Sequence, residues 1–140
     1  MIKLIIGPKG SGKTKKLIDL ANDAALNSLG NVDCIEKTPN LVGNISRKIR
    51  LVETDEYNIK GHEMLEGFIM GFAAGNYDIS DIFVDATFKI IGRDYKKLID
   101  FFNELNKLSE KHNVNIWFTL SCNKEELPPL IFNYGENVNS

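Results

Sequence analysis

The sequence predicts an α/β fold, with a mostly parallel, doubly wound sheet held between two layers of helix. Three observations predict it. Short apolar runs rich in β-branched residues alternate with longer stretches of helical spacing. One run, Val114 to Ser121, carries Val114, Ile116, Trp117, Phe118 and Leu120, and so is apolar on both sides, as a strand covered on both faces must be. A glycine-rich loop joins the first run directly to the first helical stretch. The length of 140 residues, with 43% hydrophobic and 26% charged residues, suits a single domain. We place that domain at residues 1–132 and expect 133–140, a polar stretch, to be a loose tail.

The elements follow in order. Ile2–Ile6 is the first strand, and the helix after the loop runs from Thr14 to Leu29, with Leu17, Ile18, Ala21, Ala24 and Ala25 on one side and Gly30 as its stop. Val32–Glu36 reads as a second strand. Thr38-Pro39-Asn40 and Gly43-Asn44 then mark turns, and Lys48–Glu53 reads as a short third strand. Arg47, Lys48 and Arg50 form a basic cluster there, which suits a charged edge strand and, lacking interleaved aromatics, makes a weak case for nucleic acid. A helix from Gly61 to Gly75 turns Met64, Leu65, Phe68, Ile69, Phe72 and Ala73 inward. Gly67, Gly71 and Gly75 recur every four residues, so a close backbone neighbour is expected along that line, within the chain or at a dimer seam. Asp81–Asp85 reads as a buried strand ending in a carboxylate. The longest helix starts at Gly92-Arg93-Asp94 and reaches His112, and Asn123 with Glu126 has the spacing of a capping box.

The loop carries the chemistry. Gly7-Pro8-Lys9-Gly10-Ser11-Gly12-Lys13-Thr14 has the pattern G-x-x-x-x-G-K-T between a strand and a helix, the context a phosphate-binding loop requires. Gly7, Gly10 and Gly12 permit backbone angles barred to other residues, so the loop can wrap around phosphate oxygens. The N–H groups from Lys9 onward, through Gly10, Ser11, Gly12 and the helix start at Lys13, Thr14 and Lys15, would then point inward as an anion nest. Lys13 supplies a point charge for the β- and γ-phosphates, and the Thr14 hydroxyl a ligand for Mg²⁺. Asp85 is expected beside Thr14 in space, holding the same Mg²⁺, while Asp81 at the strand entrance is not. His62 lies at no metal-site spacing from a second His or Cys.

On these residues the chain resembles the P-loop NTPase superfamily. The order of strands, with a polar tip on the fifth (Thr119, Ser121, Asn123), is similar to that of its RecA-like and ring-ATPase branch. The resemblance implies that the fifth strand lies between the first and the Asp85 strand. It also implies ATP and Mg²⁺ as cofactors. Ring ATPases carry a Glu directly after the Asp, where this chain has Ala86. RecA-like members place the catalytic Glu at the end of the second strand, where this chain has Glu36, so Glu36 is the candidate water-orienting base beside Lys13. Ser121 or Asn123 would sense the γ-phosphate, and Arg93 is the candidate arginine finger. The chain also resembles, more weakly, the core of twitching-motility ATPases. Those carry a separate amino-terminal domain, so a motor role is not expected.

The resemblance therefore implies a slow Mg²⁺-dependent ATPase working with a protein partner or as a homo-oligomer. Two alternatives stay open: a nucleotide-gated module that does not hydrolyse, and a small phosphotransferase, although an arginine-rich lid is missing. ATP is favoured over GTP because Asn123-Lys124-Glu125-Glu126 lacks the Asp of a guanine-reading N-K-x-D motif. The net charge of −2 gives no basic field for nucleic acid. The two cysteines, Cys34 and Cys122, fall in or beside buried strands and read as reduced thiols. Met1 leads straight into a strand and no apolar stretch is long enough to span a bilayer, so a cytoplasmic location is expected.

Overall fold

The computed structural model describes residues 1–139. Six strands form one all-parallel sheet: β1 (Ile2–Gly7), β2 (Asn31–Glu36), β3 (Arg50–Glu53), β4 (Ile79–Val84), β5 (Asn115–Ser121) and β6 (Gly135–Asn137), in the spatial order β3-β2-β4-β5-β1-β6. The helices are α1 (Lys13–Asn27), α2 (Gly61–Gly75), α3 (Thr87–Ile91) and α4 (Tyr95–His112). β5 lies between β1 and β4, the order implied by the resemblance.

Alternation along the strands divides the interior into two cores. Leu4, Ile6, Ile82, Val84, Ile116 and Phe118 face α2, α3 and α4, where Leu65, Ile69, Leu98, Phe102 and Leu105 meet them. Ile5, Cys34 and Phe83 face the other way, against Leu17 and Ala21 of α1 and Leu41 of the loop after β2. Each fully buried Leu or Phe contributes about 1.5–3 kcal/mol from removing its apolar surface from water. Both cysteines are buried and unbridged. Among the described residues, no helix is long and apolar enough to cross a membrane.

Helix ends follow their capping chemistry. The Asp94 carboxylate accepts from the N–H groups of Lys96 and Lys97 at the start of α4, and Asn113 ends that helix in the left-handed region at φ 54°. Asn123 and Glu126 do form a capping box. Gly30 has a different reason from the expected helix stop: a Cβ there would sit 2.5 Å from the Asp78 carbonyl oxygen, so it is the crossing with the entrance to β4 that demands glycine.

Three expectations are corrected. The segment taken as a loose tail supplies a strand: Gly135–Asn137 pairs with Ile2–Leu4, and the Val138 N–H donates to the Leu4 carbonyl at 2.8 Å. Its polar side chains suit an edge strand, which is why composition misread them. Ser140, the last residue of that expected tail, lies outside the described residues. The glycine line on α2 has no close neighbour within the described chain, since a Cβ at Gly67, Gly71 or Gly75 would meet nothing within 4 Å. Met64, expected inward, is 47% exposed, because the buried stripe narrows to Leu65, Ile69 and Phe72.

Candidate nucleotide site

The loop between β1 and α1 is shaped by its glycines. Gly10 and Gly12 lie in the left-handed region at φ 81° and 84°, and Gly12 is the residue from which α1 springs. Gly7 is needed for closeness: a Cβ there would stand 2.5 Å from Ser11 Oγ unless that side chain turned away. A turn from the Ser11 N–H to the Pro8 carbonyl (3.2 Å) folds the loop back on itself.

The first bond of α1 runs from the Lys16 N–H to the Gly12 carbonyl. Among the described residues, the N–H groups of Lys9, Gly10, Gly12, Lys13, Thr14 and Lys15 have no protein acceptor. No side chain caps this helix start, and no acidic residue lies in its first turn. The positive end of the helix is therefore left uncompensated, as in an anion-binding site.

Lys13 is buried, and its ammonium curls across the loop to donate to the Pro8 carbonyl at 2.9 Å. Burial lowers its pKa, opposed by the charge of Asp85. The Thr14 hydroxyl donates to Asp85, 3.2 Å from Oδ2 and 3.3 Å from Oδ1, across 71 residues of sequence. Thr14 and Asp85 thus stand together, whereas Asp81 accepts from Trp117 Nε1 and from the neighbouring Ser80 hydroxyl. A hydroxyl and a carboxylate are hard oxygen donors of the kind that fit Mg²⁺. Among the described residues, no three His, Cys, Asp or Glu side chains gather as a metal cluster elsewhere.

The other candidates divide. Lys9, Gly10, Ser11 and Gly12 line the open side of the loop, all exposed. The Lys15 side chain leaves the loop for Asp19 at 3.4 Å, so only its backbone N–H faces the nest. Ser121 sits beside Gly7 in the β1–β5 register, with its carbonyl accepting from Arg93 Nη2 at 2.7 Å. Arg93, itself exposed, also donates to the Tyr95 hydroxyl and lies over the Phe88 ring. Glu36 is buried at the end of β2, and Asp85 follows the β4 residues paired with β2, its N–H bonded to the Ile35 carbonyl at 2.9 Å. The Glu36 carboxylate is engaged as well. Its Oε1 accepts from the N–H groups of Asn40 (2.9 Å) and Leu41 (3.2 Å), which ties down the loop after β2. Burial raises the Glu36 pKa, and those two backbone donors oppose the rise.

Two residues without an assigned role from the sequence complete the site. Thr119, fully buried in β5, donates to Asp85 Oδ1 at 2.7 Å and accepts from the Ala86 N–H at 2.7 Å. A β-branched hydroxyl in an otherwise apolar, doubly covered strand was the available signal. Asn139 donates from Nδ2 to the Ile6 carbonyl (2.8 Å) and accepts from Lys16 Nζ (3.1 Å), clasping the loop from its β6 side.

No protein-family model matches this chain, and no curated protein matches it significantly.

Proposed function

We propose that this protein binds Mg²⁺·ATP in the loop between β1 and α1. The observation that carries the reading is the set of N–H groups of Lys9, Gly10, Gly12, Lys13, Thr14 and Lys15, unpartnered among the described residues, closed over by a buried Lys13 and flanked by the Thr14–Asp85 pair. The N–H groups and Lys13 would hold the β- and γ-phosphates, while Thr14 and Asp85 would hold Mg²⁺, which when bound neutralises charge on the phosphate oxygens. Thr119 fixes the Asp85 carboxylate in place for that task.

The activity we favour is a slow ATPase working with a protein partner or a second copy. Glu36 is the base candidate, and its carboxylate is bound to the Asn40 and Leu41 amides. It would have to release them to orient a water, and a partner that moves the loop after β2 would permit this. Ala86 in the position after Asp85, together with the engaged Glu36, also supports a second reading: a nucleotide-gated module without hydrolysis, in which Glu36 only holds its loop.

The test of binding is a thermal shift. Mg²⁺·ATP at a hundred times its dissociation constant should stabilise the fold by about 2.7 kcal/mol, or roughly 5–10 °C in Tm. Lys13→Ala should abolish that shift; an undiminished shift removes Lys13 from the site. Phosphate release by wild type and Glu36→Gln then separates the two readings. Release lost in the variant supports the ATPase, and none from wild type under any partner condition leaves the module.

A further inference from the structure

A recess of about 250 Å³ opens where the loop leaves β1. Ile6, Gly7 and Pro8 form one side, residues 122–125 after β5 another, and Asn137 and Asn139 close it from the β6 side. Its volume lies below the roughly 300–1,000 Å³ that encloses a whole drug-sized ligand, and so suits one planar ring system whose remainder is held elsewhere. Among the described residues, the charged side chains lining it are Lys124 and Glu125, both exposed and of opposite sign, which favours a neutral occupant. The carboxamides around it differ in what they have left to offer. Asn123 is engaged with Glu126 in the capping box. Asn139 donates to the Ile6 carbonyl and accepts from Lys16. Asn137 Oδ1 accepts one bond, from the Asn139 N–H at 3.1 Å, and its Nδ2 has no acceptor among the described residues. That bond holds the carboxamide in place and leaves it both N–H donors and a second oxygen lone pair.

We propose that this recess takes the adenine ring of the nucleotide and that Asn137 reads it, which rests on the loop binding a nucleoside triphosphate. With Mg²⁺ at Thr14 and Asp85 bridging β- and γ-oxygens, the sugar and base leave the loop on the side away from Asp85. In the order β4-β5-β1-β6 that is the side of β6. A carboxamide complements adenine at two atoms: its N–H donates to N7 and its oxygen accepts from the N6 amine. Guanine carries O6 in place of that amine, so two acceptors would face each other. The Glu126 carboxylate is bound to Asn123 and to the Tyr95 hydroxyl, so neither Asn123 nor Glu126 is free to read guanine instead. The wall that carries Asn137 is preformed, fastened by the pairing of Gly135–Asn137 with Ile2–Leu4 and by the Val138 N–H on the Leu4 carbonyl.

The test is titration calorimetry with Mg²⁺ and ATP, GTP, 7-deaza-ATP or inorganic tripolyphosphate, on wild type, Asn137→Leu and Asn137→Asp. Wild type should bind ATP about tenfold or more tighter than GTP or tripolyphosphate. 7-Deaza-ATP, which lacks the N7 acceptor, should bind about fivefold weaker than ATP. Asn137→Asp keeps an oxygen for the Asn139 N–H but has no N–H to donate. In both variants the advantage of ATP over tripolyphosphate should shrink about tenfold. That ratio is taken within one protein, so a general loosening of the fold cancels from it, and the wild-type comparisons decide the matter even if a variant does not fold. Tripolyphosphate bound as tightly as ATP overturns the proposal while leaving the loop reading intact. GTP or 7-deaza-ATP bound as tightly as ATP, or variants that keep the full ATP advantage, overturn it as well. If none of these ligands binds, the loop reading fails and this one with it.

Discussion

Glu36 is a buried carboxylate that serves the fold by holding the loop after β2 through the Asn40 and Leu41 amides. Its folded-state pKa is raised, chiefly by burial, so the native chain holds this proton to higher pH than the unfolded chain does. The stability contributed by protonation is therefore complete below the ordinary carboxylate range and is lost as pH rises through the raised value. Glu36→Gln has no such titration but keeps an oxygen for the Asn40 and Leu41 amides. The Tm of wild type minus that of Glu36→Gln should accordingly fall as pH rises above the ordinary carboxylate range. Parallel curves would show that the site does not load this carboxyl. Asp85 and Thr14 were legible because a strand-end carboxylate and the last residue of the loop motif are both marked locally. Glu36 was legible in position only, since its bonds depend on how residues 37–41 fold back.

Among the elements, β6 had the least sequence signal and has a large structural share. It pairs with β1, and the residues after it give Lys16 an acceptor in the Val138 carbonyl at 2.7 Å and the Ile6 carbonyl a donor in Asn139. A chain ending at Tyr134 should lose about 2 kcal/mol, lowering Tm by roughly 7 °C. An unchanged Tm would make the clasp incidental. β1, β2, β4, β5, α2 and α4 were all readable from apolar periodicity, because each buries a continuous face. α3 was not: five residues between Ala86 at φ 49° and Gly92 at φ 80° carry too little pattern, and the helix rests on the packing of Phe88, Ile90 and Ile91 and on its end bonds from the Lys89 N–H to the Ala86 carbonyl and from the Gly92 N–H to the Phe88 carbonyl. β6 failed for the complementary reason, as an edge strand of three residues shows polar side chains and joins β1 by backbone pairing and the Lys3–Glu136 ion pair at 2.7 Å, which leave no apolar pattern.

For the whole molecule, the sheet order grades stability from the middle outward. β2, β4, β5 and β1 have neighbours on both sides, while β3 and β6 are edges. Amide hydrogen exchange should be slowest in β4 and β5 and fastest in β3, β6 and the loop from 37 to 49; equally slow edges would contradict the grading. The same order bears on how the chain is made. β1 is made before the other five strands of the sheet, yet both of its partners begin at Asn115 or later. β2, β3 and β4 can pair while the rest is still being synthesised, so the early nucleus excludes the strand that carries the loop. The loop after β1 is thus made ahead of the other strands but gains its flanking partners only once β5 and β6 have joined the sheet.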